Sequence, residues 1–288
     1  MKKTLLLISL LMFSAPFTTA QAIDPGRAQG TLQLNDTTIP ITQAYAQLHD
    51  NAEGLLDLPK ELRILLADRE VPQEALNGIV FLPVTELARQ GKVRGILIRL
   101  DPDRRNTAYV TLLHPPKDEG TSLMTLTISG TEPAMKKLVI GGNRVSGETE
   151  NRDDRGPRPG ELPAMSYSVR FDAPLFNEPK VTADIKGRAA QDSPQVAILR
   201  KKVKAMQEGD FETLKRLTSD KANRQNEAFL AKAGPDVKEM MKAAGRDMEQ
   251  SIKNISRVVV RGKQAVVIFA DKSWANFVLE GNNWKSDD

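Results

Sequence analysis

The sequence predicts two units. The N-terminal one is mainly antiparallel β, sandwich or barrel-like, and the C-terminal one is α+β, with helices packed on an antiparallel meander. Three observations carry this expectation. Short β-branched runs punctuated by Gly, Pro and Asp fill residues 23–193. Apolar residues then recur at three- and four-residue steps over residues 196–252. The end of the chain, residues 254–285, reads NISRVVVRGKQAVVIFADKSWANFVLEGNNWK, four β-rich stretches separated by turn residues.

Taken in order, the chain opens with Lys2 and Lys3, an apolar run over residues 5–13, and Ala20-Gln21-Ala22. A charged start, a short apolar stretch and an A-x-A site predict a secretory signal peptide over residues 1–22. The apolar run is shorter than the roughly 20 residues needed to cross a bilayer. The mature chain is therefore expected to be soluble, with no stable membrane insertion after cleavage, and periplasmic or secreted. The 288 residues contain no cysteine, which excludes disulfides, thiol catalysis and thiolate metal sites and favours a bacterial periplasm. The net charge of +4 is spread along the chain without a basic stripe, so nucleic acid is not an expected partner.

Residues 31–34 and 37–41 predict a hairpin about Asn35-Asp36. Strands follow at 62–67, 93–100, 108–113, 123–128, 137–140, 144–148, 167–171 and 181–185, with one helix at 84–90 ended by Gly91. Residues 151–163, NRDDRGPRPGELP, hold three prolines and one large apolar residue, the composition of a solvated, mobile loop. The first unit is expected to span 23–193 and the second 194–288. Ser193-Pro194 starts a helix whose stripe is Val196, Leu199, Val203 and Met206, and Gly209 ends it. Asp210 caps a second helix with Phe211, Leu214 and Leu217 inward. After a polar interval and Gly234-Pro235, a third helix carries Val237, Met240, Met241, Ala244, Met248 and Ile252. In the meander, Gly262-Lys263, Asp271-Lys272 and Gly281-Asn282-Asn283 predict the turns, and residues 264–270, apolar on both faces, predict a strand covered on both sides.

Helices first, a Gly209-Asp210 step between the first two, then a closing sheet ending in Gly281, Trp284 and Lys285 resemble the NTF2-like, cystatin-type α+β fold. The resemblance covers about a third of the chain; the N-terminal unit resembles no family. It implies a sheet curled round helices to form an apolar pocket. Some members are isomerases or dehydratases, and many bind ligands or partners. No strand is found between residues 221 and 234, where the family plan has more sheet. The chain also has no His or Tyr after residue 193, the side chains most often used for acid–base work in enzymatic members.

Motifs that could carry chemistry are thin. Gly142 to Thr149 (GNRVSGET) has the glycine spacing of a phosphate loop, but Glu148 stands where lysine is needed, and a hairpin is expected. Asp101, Asp103 and Asn106 faintly resemble a calcium loop but lack the distal glutamate. His49 and His114 are the only histidines, too few for a strong metal site even with Asp50 assisting. Asp68 and Glu70 could pair at a strand end, with Arg69 between them. Arg200, Lys201, Lys202 and Lys204 form a basic cluster expected to be a solvated helix face. Met240, Met241 and Met248 of the third helix, facing Phe269, Trp274 and Phe277 of the meander, predict a soft apolar ligand pocket. The expectation is a non-enzymatic binding or interaction protein with no catalytic residues, metal or cofactor, acting on an unidentified apolar ligand or protein partner. The rival reading is a hydrolase or isomerase with its site in the N-terminal unit or at the junction of the two.

Overall fold

A computed structural model of the chain describes residues 26–56, 58–78, 82–116, 123–129, 135–152, 163–230 and 236–288. The expected signal peptide and residues 153–162 of the expected loop lie outside them.

Strands β1 (Arg27–Leu34) and β2 (Thr37–His49) form the predicted hairpin, and Asn35 takes the left-handed φ of 48° that such a turn requires. β3 (Glu61–Ala67), β4 (Gly95–Leu100), β5 (Thr107–Leu113) and β6 (Thr125–Ser129) add on beyond β2, each antiparallel to the last. Helix α1 (Pro83–Arg89) follows the expected span within one residue, and Gly91 after it has a φ of 68°. On the other flank lie β9 (Met165–Asn177), β8 (Arg144–Asn151) and β7 (Lys136–Gly141), because the first eight residues of β9 pair with the whole of β1. The result is one nine-stranded sheet in the order β6-β5-β4-β3-β2-β1-β9-β8-β7. Where β1 runs out, β2 and β9 close up in parallel, with Ala46 opposite Leu175.

Strand alternation sends side chains to the two faces in turn. One face carries Leu32, Ile41, Ile64, Ile98, Val110 and Phe171, all buried in the main core. The other carries Leu65, Leu97 and Leu113 against Leu76, Leu82, Val84 and Ala88 of the α1 region. Gly95 is required where β4 crosses β3: a Cβ there would lie 2.0 Å from the Leu66 carbonyl oxygen.

The second sheet has five strands, β10 (Val181–Lys186), β11 (Ile255–Arg261), β12 (Gln264–Phe269), β13 (Trp274–Glu280) and β14 (Asn283–Ser286), antiparallel in that order. Between the neighbours β10 and β11 the chain makes a helical excursion. It comprises α2 (Arg188–Gln191), α3 (Pro194–Glu208), α4 (Phe211–Leu217), α5 (Asp220–Leu230) and α6 (Val237–Ile252). Ser193 accepts from the Val196 amide, Asp210 accepts from the Thr213 amide, and Gly209 sits left-handed between α3 and α4. Val196, Leu199 and Val203 of α3 bury Val258, Ala265, Val267 and Phe277 of the sheet. The other face of β12, Val266 and Ile268, packs with Val259 and Trp274.

The predicted fold class needs correction. Among the described residues the chain is mostly antiparallel β, 46% strand against 26% helix, built as one curled nine-stranded sheet and a second sheet, with no clear α+β helical domain at the C-terminal end. The short N-terminal runs do not stack as a sandwich, because β1 is bonded on both sides and joins them into one sheet. Among the described residues its edges β6 and β7 do not pair to close a barrel. At the C-terminal end the frame is the sheet itself. Its edge strand β10 precedes the helices, which are inserted between two of its strands. Helix α5 falls in the polar interval where the sequence predicts nothing. Its segment DKANRQNEAFL is strongly polar up to Glu227 and so lacks an apolar stripe to announce it, and the Ser219 hydroxyl accepting from the Ala222 amide marks its start.

The place of β10 has a measurable consequence. A fragment starting at Gln191 bares the β11 edge and loses the Arg257–Asp184 pair, Nε to Oδ1 2.6 Å. A fragment starting at Asn177 keeps both. The longer fragment is expected to melt higher by roughly 10 °C or more, given 4–8 °C per kcal/mol for a unit of this size. Circular dichroism melts that coincide would show that β10 contributes nothing to this sheet.

Candidate functional site

The structure does not bring the six predicted pocket residues together. Helix α3 lies on the sheet, and α6 packs against α3 with Gly245 close to Met206 and Gln207. Met248 therefore reaches the helix–sheet core, where Phe269 and Phe277 are buried. Trp274 packs on the opposite face of the sheet, beside Val266 and Ile268. Met240 and Met241 point away from the sheet into a groove of about 400 Å³ among α3, α4, α5 and α6. Its walls are Met206, Phe211, Leu214, Val237, Met240 and Met241, with Met240 65% and Phe211 38% exposed. Among the described residues the expected apolar space between α6 and the meander is taken by Val196, Leu199 and Val203 of α3.

Charged groups rim this groove. Lys215 pairs with Glu227 at 2.9 Å. Lys202, expected on a solvated face, turns inward and donates to Ser286 Oγ at 2.6 Å. Burial pushes its ammonium pKa below the ordinary lysine value, against the opposing charge of Asp288. The rest of that basic cluster stays separate: Arg200 holds Gln191, and Lys204 faces Glu208.

A second constellation lies where the two sheets meet. His49 ends β2, Asp50 and Glu53 follow it, Glu178 links β9 to β10, and Arg261 ends β11. The Arg261 guanidinium, 5% exposed, donates from Nε to Glu53 Oε1 at 2.5 Å and from Nη1 to the Pro179 carbonyl at 3.2 Å. It also pairs with Asp50, and with Glu178 Oε2 at 3.4 Å. His49 Nδ1 lies 2.7 and 2.8 Å from the two Glu178 oxygens, so this nitrogen donates, while Nε2 lies 3.8 Å from Glu53 Oε2. Burial alone would lower the Arg261 pKa, but the Glu53 and Asp50 hydrogen bonds and the Glu178 charge raise it. At Asp50 burial is the largest influence and works upward, but the Arg261 hydrogen bond, the Ala52 amide and the Arg261 charge together outweigh it and leave the carboxyl below its ordinary value. The carboxylates here accept from a guanidinium or an imidazole, an arrangement suited to clamping two sheets rather than to exchanging protons with a substrate. None of the five residues lines the groove.

A third buried charge, Arg63 in β3, is fully enclosed. Its Nε donates to Glu61 at 2.8 Å, and Nη1 donates to the carbonyls of Leu76 at 3.1 Å and Gly78 at 2.6 Å. Sequence reasoning passed over Glu53, Arg63, Glu178 and Arg261. The one available signal was a lone arginine inside or ending an apolar strand, which can be buried only if it is paired.

The remaining singled-out residues have local roles. Asp68 accepts from Arg69 and Arg94, and these bonds outweigh burial and lower its pKa. Glu70 is exposed and is not drawn into a carboxylate pair with it. His114 Nδ1 lies 2.9 Å from the Pro115 carbonyl. Asp101 Oδ1 accepts from the Asp103 and Arg104 amides, a turn rather than a cation loop. Gly142, at φ 58°, turns the β7–β8 hairpin as expected.

No family model matches the chain, and no curated protein or solved structure matches it either. The NTF2-like resemblance is neither supported nor contradicted by these comparisons. Among the described residues no helix is long and apolar enough to cross a membrane.

Proposed function

We propose that this is an exported, periplasmic or secreted, non-catalytic binding protein, and that the groove among α3, α4, α5 and α6 takes a single-chain amphiphile. The observation that carries the reading is the exposure of Met240 beside Met206 and Met241 in an apolar groove of about 400 Å³. A pocket of that size and lining suits a small apolar ligand, and unbranched methionines adapt to a flexible chain. The tail lies along the methionines and Leu214. The polar head sits at the Lys202 end, where a half-buried ammonium gains from an anionic neighbour. Export rests on the signal-peptide pattern of residues 1–22.

Laurate is the probe. Titration calorimetry is expected to show binding to the mature chain. Met241→Lys, which puts a charge into the tail path, is expected to weaken it at least tenfold, or about 1.4 kcal/mol. Neither tryptophan lines the groove, so heat is a better readout than intrinsic fluorescence. Laurate that fails to bind, or that binds Met241→Lys equally well, would end this reading.

A further inference from the structure

A second cavity, of about 380 Å³, lies between α1 and the preceding Asn77-Gly78 on one side and β12, β13 and the start of α5 on the other. Its floor includes Leu82, Pro83 and Val266. Charges on its rim are already partnered: Arg89 lies 3.7 Å from Glu86, Lys221 pairs with Asp287 at 2.8 Å, and the Asp288 carboxylate accepts from the Asn276 amide at 2.8 Å and from Asn276 Nδ2 at 2.9 Å. Partnered in this way, the charges offer strong donors beside strong acceptors and leave no bare cation for an anion.

Asn77 gives the cavity a fixed polar wall. Its Oδ1 accepts from Gln47 Nε2 at 2.6 Å, which settles the orientation of the carboxamide and leaves the Nδ2 hydrogens without a partner among the described residues. The backbone on both sides is held by buried Arg63, through the Leu76 and Gly78 carbonyls. A donor fixed in advance loses little freedom on binding.

We infer that this cavity is a binding site for a neutral saccharide, a mono- or disaccharide in pyranose form. A hydroxyl both donates and accepts, so hydroxyls placed side by side match paired charges and a carboxamide better than any ion does. The C–H face of a pyranose lies on Leu82 and Pro83. Its hydroxyl edge reaches the Asn77 amide and the Arg89–Glu86 pair. The cavity shares Asp288 with the amphiphile groove, and the residues the two readings are tested on, Asn77 and Arg89 here and Met241 there, are different.

The test is saturation-transfer NMR on the full mature chain with maltose, trehalose and N-acetylglucosamine, using glucuronate and glucosamine as charged analogues. At least one neutral sugar is expected to bind, with transfer strongest at ring C–H protons and with affinity above that of both charged analogues. Asn77→Asp keeps the oxygen that Gln47 needs and removes the free donors, and it is expected to weaken binding about tenfold, the loss of one good hydrogen bond. Arg89→Gln, on an exposed helix face, is expected to do the same without a folding cost. Met241→Lys should leave sugar binding unchanged, and Asn77→Asp should leave laurate binding unchanged, so failure of one site does not implicate the other. The inference is overturned if no neutral sugar binds, if a charged analogue binds more tightly, or if both Asn77→Asp and Arg89→Gln bind like the parent.

Discussion

Arg261→Met is expected to destabilise the protein by about 3–5 kcal/mol, the usual cost of removing one partner from a buried ion pair. Glu53 has a fully buried side chain and Glu178 is 7% exposed, so both would lose their guanidinium with no water to replace it. The Pro179 carbonyl would lose its donor as well. Against a total stability of 5–15 kcal/mol such a loss is large, and a urea midpoint measured at neutral pH should show it plainly. Two further measurements separate clamping from simple packing. Glu53→Gln in the Arg261→Met background should recover part of the loss, because it removes the stranded charge. The gap between parent and variant should also narrow on acidification. Arg261 holds the Asp50 carboxyl below its ordinary value of 3.8 in the folded state, so its contribution is present above that value and is lost as pH falls through the folded value. A gap that stays constant from neutral to acid conditions would mean that the guanidinium acts through its bulk alone.

Features set by a few neighbouring residues were legible in the sequence. Ser193-Pro194, Gly209 and Asp210 start and stop α3 and α4 where their local chemistry predicts. Gly262, at φ 54°, turns β11 into β12. Sheet membership was not legible, because it depends on pairing between distant residues. Nothing local in the segment VTADIK of β10 says that it bonds to β11, some seventy residues away, rather than to its predecessor β9. The same limit applied to the sites. A methionine stripe announces an apolar face, but which part of it meets the sheet depends on whether α3 or α6 lies there. Once α3 does, Met248 is core while Met240 and Met241 look outward. The charged clamp was harder still. Its members come from β2, the loop after it, the β9–β10 link and β11, and each alone reads as an ordinary charged loop or strand-end residue.

Arg63→Leu tests the opposite face of the same question, whether a buried charge supports a site it does not touch. The guanidinium is fully enclosed, and its removal leaves Glu61, 4% exposed, with Arg99 at 3.8 Å as its nearest remaining cation. The Leu76 and Gly78 carbonyls lose their donor at the same time. A loss of about 3–5 kcal/mol is expected from the broken pair, with the unsatisfied carbonyls adding to it. Glu61→Gln combined with Arg63→Leu should return part of that loss by removing the stranded carboxylate. It should not restore the Asn77 wall, since neither glutamine nor leucine supplies the carbonyls with their donor. Amide hydrogen exchange distinguishes the two effects. In the double variant the strand amides of β3 should regain protection, while the Ala75 and Asn77 amides, bonded to the Pro72 and Glu74 carbonyls, should exchange faster than in the parent. If those two amides recover together with β3, the wall is held by packing, and Arg63 serves only to neutralise Glu61.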